Sequence, residues 1–254
     1  WFACCANIAF VILIVYSMLN LGDEVLKFVA SIDFIRKIFE VSLGIQVEGD
    51  VSINMLFAVA FTHGMILTIT WGTIIATSTR VTVGEIEQGT VDLLMSLPVT
   101  RFQIFASFSL AILVITIALS CCPIAGVAIG NLVFETDEAI EISRYIVPTI
   151  NFIAVNLAIG GISTMVGCIL NRRANVVGIV VGVAFVSVVL NFVEPFLPNM
   201  MGMQYLGLLS YYRPADIVRT GEWPVLSMFI LTCVAIMTTS VAALVFCRKD
   251  IPAV

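Results

Sequence analysis

The side chains able to do chemistry are few and scattered. His63 is the only histidine in 254 residues. No carboxylate pair and no Ser-His-Asp set falls near it, so general acid–base and nucleophilic catalysis have no assembled machinery. The three lysines, Lys27, Lys37 and Lys249, are followed by Phe, Ile and Asp, so none belongs to a phosphate-cradling P-loop. The seven cysteines, Cys4, Cys5, Cys121, Cys122, Cys168, Cys233 and Cys247, sit in apolar runs without CxxC or histidine spacing and read as small hydrophobes. Met200, Met201 and Met203 lack Cys or His partners for a soft metal. Glu135, Asp137, Glu138 and Glu141 read as a solvated acidic loop. No catalytic residue and no metal site is expected, and any ATP used would be hydrolysed by another polypeptide.

The elements that must carry these residues are set by composition. The chain is 60% hydrophobic and 11% charged, with a mean hydropathy of +1.11, against ~45–50% apolar and ~25% charged for a soluble domain. Twelve Lys and Arg against seventeen Asp and Glu, a net charge of −5, remove the basic footprint of a nucleic-acid binder. Uncharged runs at 1–19, 55–79, 104–131, 148–170, 176–191 and 224–247 predict an all-α polytopic membrane protein with six transmembrane helices in one domain. The first run has no basic n-region or A-x-A-like site and reads as a retained span.

Basic residues sort the connections. Arg80, Arg101, Arg172, Arg173, Arg248 and Lys249 crowd into three short segments. Lys27, Arg36, Lys37, Arg144, Arg213 and Arg219 are spread over more than twice as many residues. The denser set predicts the cytoplasmic side and a cytoplasmic C-terminus in the cell membrane. On the outer side, Val25, Phe28, Val29, Ile32, Ile35, Ile38 and Phe39 recur at helical spacing, fitting an amphipathic helix on the membrane surface or packed on its own bundle. Pro214 opens a helical turn that Thr220-Gly221 stops, and with Pro195, Pro198 and Gly202 it predicts short re-entrant outer helices.

None of the six runs holds Asp, Glu, Lys or Arg, which weighs against an ion-coupled transporter. His63, Thr70, Thr73 and Thr77 share one helical stripe. The stripe faces a translocation pathway or subunit seam, unless its hydroxyls bond back to their own i−4 carbonyls. Gly178 and Gly182, and Gly160, Thr164 and Cys168, form small-residue rows that permit close helix contact.

Between the second and third runs lies Gly84-Glu85-Ile86-Glu87-Gln88-Gly89-Thr90-Val91-Asp92-Leu93-Leu94-Met95-Ser96-Leu97-Pro98-Val99-Thr100-Arg101. Thr90 can cap a short helix with Asp92 at its positive end, an apolar face of Leu93, Leu94 and Leu97, and Pro98 as its stop. It fits a docking element, or an ordinary interfacial hairpin. The pattern E-x-G-T-x-[DE]-x-L-x-S-L-P-V-[ST]-R, from Glu87 to Arg101, resembles the signature of ABC transporter permeases of type-2 exporter architecture, and Tyr212-Arg213-Pro214-Ala215-Asp216-Ile217 is also similar. The resemblance covers the whole chain, apart from the amphipathic helix that such permeases carry before span one. It implies an exporter built from two permease copies in membrane lipid, each above an ATPase that binds ATP and magnesium. It also implies that a cytosolic coupling helix engages that ATPase through Glu85, Glu87, Gln88, Gly89, Thr90, Asp92, Leu93 and Leu94. An ion-coupled or passive transporter and an integral-membrane lipid-modifying enzyme are the alternatives.

Overall fold

A computed structural model describes residues 1–31, 53–89, 98–134, 141–193 and 202–249. The helices are α1 (Phe2–Ser31), α2 (Ile53–Thr62), α3 (Gly64–Thr79), α4 (Arg101–Ser120), α5 (Cys122–Val133), α6 (Ile146–Ile169), α7 (Arg173–Val193), α8 (Pro214–Thr220) and α9 (Val225–Arg248). A π-helical turn at Arg80–Gly84 continues α3 into a last α-turn at Glu85–Glu87, and 3-10 turns lie at Ile142–Tyr145, Met203–Leu206 and Leu208–Tyr211. No strand occurs among the described residues.

Five helical stretches are long and apolar enough to cross a membrane: Phe2–Leu21, Arg101–Val133, Ile142–Ile169, Arg173–Val193 and Val225–Arg248. The expected span at 55–79 is not one helix. It breaks at His63 into α2, too short for a ~30 Å crossing, and α3, whose 16 residues reach that length only with the charge-bearing turns at 80–87. The break is chemically compensated: the His63 Nδ1 accepts the Met65 N–H at 3.2 Å, and the Tyr212 hydroxyl donates to the Phe61 carbonyl at 3.0 Å. The expected span at 104–131 lies within the single stretch Arg101–Val133, which a one-residue turn at Cys121 interrupts, with Pro123 in the first turn of α5.

Other boundaries move outward. The span expected at 1–19 continues without a break to Ser31; its 30 residues make about 45 Å of helix. The start of the expected surface helix is therefore the end of α1, and its remainder lies outside the described residues. The short span at 176–191 is in fact 21 residues, because Arg173 opens it.

α6 is the central helix. Of its apolar window 67% is buried, against 22% for those of α1, α7 and α9, so those three turn most of their surface outward. α6 packs most extensively on α9 and also meets α3, α4 and α7, while α1 lies along α5. Four contacts depend on glycine: a Cβ would come within 2.6 Å of Val11 at Gly126 and 2.8 Å of Val15 at Gly130 on α5, and within 2.3 Å of Thr238 at Gly161 and 2.3 Å of Thr82 at Gly167 on α6. These glycines of α5 and α6, not Gly178 and Gly182, make close approaches within the chain; the latter two meet nothing within 4 Å. α8 runs as expected from Pro214, and Gly221 closes it in the left-handed conformation at φ 70°.

Candidate functional site: the broken second span and the basic end

At the middle of the bundle, apolar helices are joined by amides and hydroxyls. Trp71 Nε1 on α3 donates to Asn156 Oδ1 on α6 at 2.8 Å, and Asn156 Nδ2 donates to Ser120 Oγ on α4 at 2.9 Å. Asn7 on α1 donates to Thr70 Oγ1 at 3.1 Å, and the Ser78 and Ser163 hydroxyls pair at 2.6 Å. All seven of these residues are buried. Such bonds lock the register of helices that dispersion alone would let slide. Composition and charge analysis missed this set, although Asn7 and Asn156 stand out as amides in apolar runs. The Asn7 Oδ1 and Thr116 Oγ1 atoms are buried without a hydrogen-bond partner among the described residues.

The expected polar stripe divides in role. Thr70 is buried and bonded to Asn7. Thr73 and Thr77 are half-buried and donate to the carbonyls of Ile69 at 2.7 Å and Thr73 at 2.8 Å, the local i−4 pattern. His63 is a half-buried helix cap whose ring lies edge-on to Phe10, with centroids 4.8 Å apart. Next to these residues α3 exposes Gly64, Thr68, Gly72 and Ala76 in one row.

The end of the bundle holding Arg80, Arg101, Arg172, Arg173, Arg248 and Lys249 is built around the segment between α3 and α4. Where that segment begins, Glu87 Oε1 accepts the Arg173 backbone N–H at 2.7 Å and so caps α7. The Arg173 guanidinium reaches back to Thr79 Oγ1 and the Ala76 carbonyl, each at 3.2 Å. Where the segment ends, Thr100 and Gln103 form a reciprocal capping box at the start of α4. There Arg101 donates to the Lys249 carbonyl at 2.6 Å. The Lys249 ammonium in turn donates to the last carbonyls of α6, Cys168 at 2.9 Å, Leu170 at 3.3 Å and Ile169 at 3.4 Å. Partial burial lowers the Lys249 pKa from its ordinary value, with Cys168 opposing.

Of the expected docking residues, Glu85 and Glu87 form the last α-turn, while Gln88 and Gly89 make an exposed turn with Gly89 at φ 68°. Glu87 is thus engaged with the chain's own α7, a role that motif reading did not supply. Thr90, Asp92, Leu93 and Leu94 lie outside the described residues. No group of three or more His, Cys, Asp or Glu among the described residues could hold a metal ion.

The fold and its apolar helices define the class: an all-helical protein with membrane-spanning character. No protein-family model matches the chain, and no curated protein matches it significantly.

Proposed function

We propose that the chain is the membrane-spanning permease subunit of an ATP-driven exporter, working as a pair of copies, each coupled to a separate cytosolic ATPase. In this reading α2 and α3 together make the sixth crossing, and the basic end faces the cytoplasm. The row of Gly64, Thr68, Gly72 and Ala76, with His63, Thr73 and Thr77 beside it, lines the pathway or the seam between copies. ATP favours one arrangement of the ATPases, and the permease pair follows by differential binding.

The observation that carries the reading is how the segment after α3 is held. Both its ends are tied to the bundle, through Glu87 to the start of α7 and through Arg101 and Lys249 to the end of α6. A force applied to residues between these ties is delivered to two membrane helices, which is what a coupling element requires. The motif over 85–101 and its acidic residues on an otherwise basic face add to this, since carboxylates there suit a partner's basic groove better than anionic headgroups.

The test is capture of the ATPase by tagged chain from its own membranes, comparing wild type with Leu94→Asp and Asp92→Lys. Loss of about tenfold or more in captured ATPase, with insertion unchanged, is expected for a central contact, equivalent to ~1.4 kcal/mol. Full capture by both variants would show that the segment is only an interfacial hairpin.

A further inference from the structure

At the end opposite the basic one, a cavity of about 350 Å³ opens between the turn that starts α6 and the end of α8. Ser143, Arg144 and Val147 form one wall, and Val218, Arg219 and Gly221 the other. We propose that it binds the zwitterionic headgroup of a phospholipid, with the phosphate between the two guanidinium groups. The inference does not depend on the permease reading.

The two arginines are underused. Arg144 bonds through Nε to Glu141 at 2.5 Å, and Arg219 through one terminal nitrogen to Asp216 at 3.3 Å. A guanidinium has five N–H donors in a fork suited to phosphate oxygens, so most of each group stays available. Both ion pairs are i,i+3 contacts with the arginines about half exposed, at 47% and 57%. Pairs of that kind hold their partners weakly and yield to a phosphate or share with it.

Charge balance selects the kind of headgroup. Glu141 and Asp216 sit beside the arginines, and Glu222 follows Gly221. A purely anionic group would meet these carboxylates. A phosphate joined to an ammonium gives each sign a partner. Apolar surface continues from the cavity: Val147 and Val218 line it, and Ile146 and Ile150 on α6 and Val225 and Leu226 on α9 are exposed where these two helices begin side by side. Trp223, 56% exposed, stands between α8 and α9 as an interfacial anchor. Headgroup contacts and an acyl path therefore meet at one place.

The experiment is native mass spectrometry of the delipidated, detergent-purified chain. Phosphatidylethanolamine, phosphatidylglycerol and inorganic phosphate are added separately to wild type, to the double variant Arg144→Gln with Arg219→Gln, and to Ser143→Trp, which fills the cavity from an exposed position. Phosphatidylethanolamine is expected to bind wild type more tightly than phosphatidylglycerol, inorganic phosphate not to bind, and both variants to lose roughly tenfold or more of the phosphatidylethanolamine affinity. Equal binding of the two lipids, or binding of phosphate alone, would overturn the headgroup assignment. Unchanged lipid binding in the double variant would overturn the site. If the double variant does not elute as a folded species, Ser143→Trp decides, and its unaltered binding overturns the proposal equally.

Discussion

Asn156 does most to join the bundle at the scale of single residues, because its amide accepts from Trp71 and donates to Ser120 on two different helices. Asn156→Leu keeps the volume and leaves both partners without it. Interhelical hydrogen bonds in membranes average ~0.6 kcal/mol and reach ~1.7, so loss of two is expected to destabilise by about 1–2 kcal/mol. Asn7→Ala, which breaks one bond and removes an unpartnered buried oxygen, is expected to cost less. Reversible unfolding of both variants in detergent measures the difference, and equal effects would mean that the network is incidental to packing. These amides were visible in the sequence as polar residues in apolar runs. Their pairing was not, since a span's own periodicity does not say which neighbour it meets. The hydroxyls of Thr73 and Thr77 illustrate the same limit, because a stripe facing a partner and a stripe bonded to its own backbone have one spacing.

At the scale of elements, the boundaries departed from the hydropathy pattern where backbone chemistry intervened. The run at 55–79 is uniformly uncharged, so composition gives one span. The helix breaks because the His63 side chain caps the Met65 N–H and Tyr212 takes up the Phe61 carbonyl from 151 residues away. By contrast, the Pro214 start and Gly221 stop of α8 were legible, since proline and glycine act on the backbone locally. The capping box at Thr100 and Gln103 is legible too, from its spacing alone. Of the segment after α3, sequence gives the motif and the structure gives the ties at its ends. Lys249 holds three terminal carbonyls of α6, so Lys249→Ala is expected to loosen the end of α6 by about 1–2 kcal/mol. Hydrogen exchange over 165–173 reads this directly. Faster exchange there, with the middle of α6 unchanged, is the expected result, and unaltered exchange would remove the tie from the account.

For the whole molecule, the arrangement is one central helix, α6, wrapped by spans that turn most of their surface outward, with a tied segment at the basic end and a cleft of about 350 Å³ at the other. Composition alone was enough for the all-helical membrane class, because 60% apolar residues in runs of span length leave few other solutions. The proposal that this chain is driven by another subunit's ATP hydrolysis rests on lysines that form no P-loop and on a segment held at both ends. The most direct measurement is ATP turnover by the purified chain in lipid, alone and with the ATPase captured from its membranes. The account predicts no turnover by the chain alone and turnover with the partner that the Leu94→Asp variant fails to couple. Hydrolysis by the isolated chain, or failure of any ATPase to associate with it in its native membrane, would contradict the account.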